Sequence, residues 1–410
     1  MTKVMTAGRG HLRRSFPIRL FAPILLAGAL AGCSSTGGLG PVIPGGNLSA
    51  PTTPVESGPL DAANTIGTGP VRIALILPLT QGSGPSVVGQ SLRNAAELAV
   101  SESGGADITV LVKDDQSTPE GARAATQAAL GEGADLILGP LYANNVREAG
   151  RLGRGANKSV IAFSTDTSVA SRGIYLLSFL VESYVSRIVD FAASKGKKSV
   201  AALVPENDYG NVALAEFQEA AARRGMRVQA IERYTPGNAG TAIQRIAGVQ
   251  SQIDALFIPE QADAMATISS QLQSAKVDTK RVQILGTGLW NDARVLRLPG
   301  LQGAWFSGPE NSGFNAFAQR YRAKFNSDPT RIATLAYDAV SLAAALARTQ
   351  GAQRFSEGVL LNSSGFNGAD GVFRFRADGQ NDRGLSVLQI NNGTTTVVSP
   401  APRSFGGGAG

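Results

Sequence analysis

Of 410 residues, one is cysteine, Cys33, and one is histidine, His11. Both fall within the first 33 positions, so the rest of the chain carries neither a thiol nor an imidazole. That removes the usual nucleophile, the usual general base and the softest metal ligands available at neutral pH. A single cysteine closes no disulfide within the chain, so stability has to come from core burial. Aromatic residues make up only 6%, which fits small, alanine-faced helices packed close to sheets. There is no Gly-x-Ser-x-Gly, no Walker loop and no dinucleotide fingerprint. Ser194 and Lys197 stand in Ser-x-x-Lys spacing, but the Ser-Asp-Asn and Lys-Thr-Gly motifs that accompany an acylating pair are missing. No catalytic residue, metal ligand or cofactor is expected; the composition points to a binding protein and away from an enzyme.

What is present begins with an N-terminal signal over residues 1–32. Lys3, Arg9, Arg13, Arg14 and Arg19 precede an apolar run over 20–30, shorter than the roughly 20 apolar residues that span a bilayer. The run closes on Leu30-Ala31-Gly32-Cys33, which resembles the bacterial lipobox, whose cysteine is acylated and becomes the new N-terminus. Two acyl chains anchor stably where one holds only marginally. The bland alternative is an ordinary signal peptide with a chance cysteine. Arg13-Arg14-Ser15-Phe16 faintly resembles a twin-arginine signal, which leaves the export route open.

The signal also accounts for the charge. The chain counts 38 basic and 31 acidic residues, but five of the basic ones precede Cys33, leaving 33 against 31. No clustered basic face survives, so nucleic acid is not an expected partner. Residues 33–70 form a tether: of the 37 positions after Cys33, 23 are Gly, Pro, Ser or Thr, too few apolar groups to offset ordering entropy. The tail 399–410 reads the same way.

From Val71 the pattern becomes apolar strands alternating with alanine-rich helical stretches. Strands are predicted over 71–77, 108–112, 135–138, 159–163, 199–204, 228–231, 254–258 and 282–285. Helical stretches lie at 92–101, 121–130, 181–194, 212–223 and 262–273. Alternating βα units imply parallel sheets covered on both faces. The length exceeds one core, so two lobes are expected.

Several motifs then occur in a telling order. Ile76-Leu77-Pro78-Leu79-Thr80 leads through a glycine-rich turn to Gly89-Gln90 and Arg93-Asn94-Ala95-Ala96-Glu97. Asp114-Asp115-Gln116-Ser117-Thr118-Pro119, Leu138-Gly139-Pro140 and Ile161-Ala162-Phe163-Ser164 follow. Pro205-Glu206-Asn207-Asp208-Tyr209-Gly210 comes next, and a hairpin from Phe366 to Phe375 closes the series. Together they resemble the type I periplasmic binding proteins of the leucine/isoleucine/valine-binding kind. The resemblance implies an α/β fold of two doubly wound parallel-sheet lobes joined by three crossovers. Lobe one is expected over about 71–178 and 307–353, and lobe two over about 179–306 and 354–398. It also implies a small-molecule ligand, an amino acid or similar, in the inter-lobe cleft, and an ABC permease as partner. The setting would be the periplasm, with the lipid anchor in the inner or outer membrane.

Loops at the carboxyl ends of parallel strands gather at such a crevice, where helix N-termini offer unpaired N–H groups. The candidate ligand-binding residues are Thr80, Gln81, Tyr142, Ser164, Thr165, Asp166, Asn207, Tyr209, Glu260 and Trp290. In amino-acid-binding relatives an aromatic at the position of Tyr209 packs on the ligand. Ser164 and Thr165 equally suit helix capping, Trp290 equally suits a core, and Asp114 and Asp115 read as solvated turn formers. Where those relatives carry serines that grip an α-carboxylate, this chain has Tyr142-Ala143-Asn144-Asn145. Asp166 would repel a carboxylate but accept an ammonium. A second resemblance therefore stays open: Leu77-Pro78-Leu79 and Gly139-Pro140-Leu141, with the lipid tether, are similar to penicillin-binding-protein activator lipoproteins. These share the fold but touch a peptidoglycan synthase.

If Cys33 is the acylated anchor, Cys33→Ala moves the protein from the membrane to the soluble fraction on centrifugation. A variant that still sediments with membranes rules the anchor out.

Overall fold

The computed structural model describes residues 64–405. The signal, Cys33, the tether before Asn64 and the last five residues lie outside the described residues. Strands here are apolar at both phases because both faces are covered. In Val71–Leu77, Ile73, Leu75 and Leu77 face one helical layer while Ala74 and Ile76 face the other. In Ser199–Pro205, Ala201 and Leu203 oppose Val200, Ala202 and Val204 in the same manner. Period-two alternation with apolar residues on both faces is what a sheet between two helical layers requires.

Two such sheets form. The first runs in spatial order Thr65–Ile66, Ile108–Asp114, Val71–Leu77, Leu136–Leu138, Val160–Ala162, Ile174–Leu176. Only its Thr65–Ile66 edge pairs antiparallel. The second runs Arg227–Tyr234, Ser199–Pro205, Ala255–Phe257, Gln283–Gly286, Trp305–Gly308, then Ser386–Asn391 and Thr394–Ser399, the last two antiparallel. Without those antiparallel edges, each sheet has the order 2-1-3-4-5, the doubly wound arrangement whose ligands bind beyond the strand C-termini next to the first strand. The chain passes between the two bodies three times: after Leu176, after Gly308 and after Arg383. The α/β class, the doubly wound lobes and the three crossovers are as expected.

Some boundaries differ from the expectation. Phe355, Leu360, Phe373 and Phe375 share a core with Leu75 and Val110 of the first sheet, although 354–398 was expected with the second lobe. The reason is that helix Ala333–Thr349 packs on the first sheet and its apolar side needs covering, which the hairpin of Phe366–Gly368 and Gly371–Phe375 provides. Conversely, Ser307 and Gly308 pair within the second sheet. The end of the expected tether is structured: Ile66, only 8% exposed, joins the first core. Part of the expected tail is too, since the Arg374 guanidinium lies 4.7 Å from the Phe405 ring centroid.

Helices α1 (Val87–Glu102), α2 (Pro119–Gly131), α3 (Ala143–Gly155), α4 (Val181–Ser194) and α5 (Asp208–Arg223) follow strands closely. Three of them start on one device. The side chains of Ser86, Thr118 and Asn207 accept hydrogen bonds from the N–H groups of Gly89, Gly121 and Gly210, at 3.1, 3.0 and 2.8 Å, as N-caps do. The glycine is forced by close approach: a Cβ on Gly89, Gly121 or Gly210 would sit 2.0, 2.2 and 2.0 Å from the carbonyl oxygens of Pro78, Asp115 and Pro205. The first turn of each helix is thus pressed onto the end of the preceding strand.

Gly89→Ala is expected to destabilise the fold by roughly 1–3 kcal/mol through backbone overpacking, measured by urea unfolding. Gly248→Ala, at a helical glycine with open space around it, should cost nothing. Equal stability of the two variants would contradict the close-approach account.

Candidate ligand-binding site

Beyond the strand C-termini lies a cavity of about 650 Å³, within the size range of small-molecule sites. From the first body it takes Leu141, Tyr142 and Ala143 at the start of α3, and Phe163 to Asp166 after strand Val160–Ala162. The first crossover adds Ser178 and Phe179. From the second body come Val181 and Tyr184 of α4, Tyr209 of α5, and Gly288, Leu289 and Asn291 after strand Gln283–Gly286. The return segment supplies Pro309, Arg331, Ile332 and Leu335. The walls are mostly aromatic and aliphatic, with a few polar groups converging, the usual composition of a small-molecule site.

Of the ten candidates, the structure brings Tyr142, Ser164, Thr165, Asp166 and Tyr209 together on this cavity. The other five point elsewhere, each for a visible reason. The Thr80 hydroxyl donates to Asp114 at 2.7 Å, and Gln81 is an exposed residue of the short hairpin Thr80–Gln81 with Gly84–Pro85. Asn207 is the cap of α5. Glu260 is turned inward, accepting from the Tyr234 hydroxyl and the Gln261 N–H. Trp290 is wholly buried in the second core, while its neighbours Leu289 and Asn291 face the cavity. Nor is Asp115 a solvated turn former. It is 0% exposed and accepts from Asn145 at 2.8 Å, and burial raises its carboxyl above the usual range.

The largest omission from the sequence reading is Arg331. Its guanidinium makes a two-pronged ion pair with Asp370, at 2.9 and 2.7 Å, and Thr334 donates to the same carboxylate at 2.5 Å. It lies 5.0 Å from the Phe179 ring centroid and 4.6 Å from that of Phe314, cation–π distances. Below it, Arg383 is 7% exposed and 4.5 Å from the Phe179 centroid, with Nη1 and Nη2 buried and unpartnered. Its Nε approaches the Ser178 carbonyl at 3.4 Å. Two phenols complete the walls, Tyr184 buried and Tyr209 half-buried. Tyr209 and Thr287 share a 2.7 Å hydrogen bond, whereas the Tyr184 hydroxyl has no partner among the described residues. Burial raises both phenols, Tyr184 to about 12, so both keep their protons at neutral pH. The only hint in sequence was position: Arg331 stands two residues before the apolar helix Ala333–Thr349.

Two doubly wound bodies sharing a cavity at their strand ends define a cleft-type binding protein. The sequence matches the periplasmic binding protein family over residues 70–395, and the chain belongs to that family. No curated protein matches it significantly. Solved structures share the fold at low identity. A branched-chain amino acid ABC transporter periplasmic ligand-binding protein from Burkholderia xenovorans is 18% identical, with 81% of this chain and 96% of that one covered and a TM-score of 0.63. An ABC transporter substrate-binding protein from Desulfitobacterium hafniense, in complex with Leu, is 18% identical over 80% and 99%, with a TM-score of 0.60. A solute-binding protein from Rhodopseudomonas palustris, in complex with 3,4-dihydroxybenzoic acid, is 20% identical over 82% and 97%, with a TM-score of 0.59.

One group in the cluster gives a pH test. Asp338 is 2% exposed; its Oδ1 accepts from the Ala369 N–H at 2.7 Å and its Oδ2 has no partner. Burial raises its pKa to about 7, against the opposing pull of Arg383 and that N–H. A proton held more tightly in the folded than in the unfolded state means stability is lost as pH rises from about 4, the unfolded value, to about 7. Asp338→Asn lacks this loss, so between pH 5 and pH 8 its stability relative to wild type should rise by roughly 2 kcal/mol. Urea unfolding at the two pH values reads the change; a pH-independent difference would show that Asp338 does not titrate in this way.

Proposed function

We propose that the chain is the solute-binding component of an ABC-type uptake system, a non-enzymatic receptor in the periplasm. It captures an amino acid or related small molecule between its lobes and is held to a membrane through Cys33. The observation that carries this reading is the cavity itself, whose walls come from both bodies and from the crossovers between them. A ligand touching Ser164 and Thr165 on one side and Tyr184 and Tyr209 on the other contacts both lobes. It therefore binds a closed state more tightly than an open one and shifts the population toward closure. The closed form is then what a permease would distinguish from the empty one. Neighbours of the same fold crystallised with Leu and with 3,4-dihydroxybenzoic acid support a ligand of this size.

Thermal-shift measurements on the detergent-purified full chain, against amino acids, aromatic acids, short peptides and muropeptides, test the reading. A ligand at a hundredfold its Kd adds about 2.7 kcal/mol to stability, an unmistakable shift. Tyr209→Ala should weaken that ligand several-fold or more without unfolding the protein. Unchanged affinity would remove Tyr209 from the site. Silence across the panel, together with capture of a peptidoglycan synthase by the chain, would replace solute binding with the activator role.

A further inference from the structure

Several hydrogen-bond donors face the cavity uncommitted. Of the five N–H groups of an arginine, Arg331 commits two to Asp370. The other three have no partner among the described residues, on a side chain that is 33% exposed and lines the cavity. The Tyr184 hydroxyl, on a residue 93% buried, since 7% is exposed, faces the same space unpartnered. Ser164 accepts from the Asp166 N–H at 3.1 Å, which leaves its own proton to donate. Two helices start at this cavity without a side-chain cap: α3 after Tyr142 and α4 after Leu180, whose next residues, Ala143 and Val181, line it. Uncapped N-terminal N–H groups and the helix dipole favour negative charge.

Acceptors for a cation are scarce by comparison. Asp166 is the one carboxylate among the lining residues. It sits 43% exposed, 3.6 Å from Arg147, and accepts from the Ser168 N–H at 2.9 Å. The Asp370 carboxylate is consumed by Arg331 and Thr334. Glu182, which is not among the lining residues, takes the Thr167 hydroxyl with Oε1, while its Oε2 is buried without a partner among the described residues. Beneath the floor, Arg331 is paired with Asp370, and Arg383 has no ion-pair partner within 4.0 Å among the described residues; its charge is opposed only at longer range by Asp338, whose carboxyl burial raises to about 7. Phe163, Phe179, Leu141, Leu289 and Leu335 leave the rest of the space apolar.

We propose that this cavity selects the anion of an apolar carboxylic acid that carries no ammonium group, with Arg331 as the charge-recognising residue. The proposal rests on the solute-binding reading and names the ligand class within it. Arg331 suits the role because Asp370 and the rings of Phe179 and Phe314 fix its plane before a ligand arrives. A guanidinium so held loses little freedom on gripping a carboxylate. An α-amino acid would bring an ammonium into a space whose one lining carboxylate, Asp166, is exposed and already engaged by Arg147 and the Ser168 N–H; neutral hydroxyl oxygens would be left to accept from it, a poor exchange for water once water is excluded.

The test separates charge from shape. Titration calorimetry on the full chain compares 4-methylpentanoate with leucine and 4-methylpentanamide, and 3-phenylpropanoate with phenylalanine and 3-phenylpropanamide. In at least one series the acid should bind tenfold or more tighter than both its amino acid and its amide. Arg331→Gln should bring acid and amide to within about threefold of each other. If an amino acid binds as tightly as its acid or tighter, the ligand class is wrong while solute binding stands. If Arg331→Gln keeps the full preference for the acid, Arg331 is not the recognising group. Should that variant fail to fold, the wild-type comparison of acid with amino acid still decides the ligand class. Silence from all six compounds and from the wider panel overturns solute binding itself.

Discussion

Everything at the cleft depends on how tightly each helix is pressed onto the strand before it. Pro78, Asp115 and Pro205 each bring a carbonyl oxygen to within about 2 Å of where a Cβ would be, so only glycine fits at Gly89, Gly121 and Gly210. The turns are consequently short, and the first turn of each helix stands directly over a strand C-terminus. Parallel pairing repeats that placement along the sheet, so one rim collects helix N-termini and strand-end loops together. Two such rims facing one cavity produce a space rich in backbone N–H donors before any side chain is chosen.

That geometry explains which part of the site was legible in the sequence. Tyr142, Ser164, Thr165 and Tyr209 follow strands recognisable as apolar runs, and their exposure to the crevice follows from strand direction alone. Asn207 obeys the same rule but is spent on the cap, its side chain accepting from the Gly210 N–H. Glu260 and Trp290 are on the correct loops and turned the wrong way. Trp290 points into the core because Gly286 leaves room for its indole, where a Cβ would lie 2.3 Å from the ring, so Leu289 and Asn291 take the cavity face.

What the sequence did not reveal comes from the crossovers. Phe179 and Tyr184 follow Ile174–Leu176, a strand that was not among the predicted ones, and Arg331 lies 167 positions beyond Ser164, the difference of their residue numbers. Nothing local distinguishes an arginine before an apolar helix from a solvated one; only the arrival of Asp370 from the hairpin Gly371–Phe375 and its flanking turn makes it a fixed cation. The same return segment escaped correct assignment to a lobe. Its helices and hairpin have ordinary amphipathic patterns, and the core that they complete was decided by which sheet remained uncovered.

The charged cluster below the cavity is hard to explain as a contribution to stability. Taking ions out of water costs several kcal/mol each, and an apolar replacement of similar volume is often as stable or more so. Here the arrangement is not even fully paired, since Arg383 keeps two unpartnered nitrogens and Asp338 one unpartnered oxygen. These groups sit where the chain crosses between bodies: Phe179 follows the first sheet, and Arg383 ends strand Asn381–Arg383 just before the last crossover. Apolar side chains there would close the floor equally well but would leave the donor-lined cavity without a fixed cation. The cluster is therefore better understood as holding a charge in a set orientation at the junction of the lobes, with the surrounding apolar cores offsetting its cost.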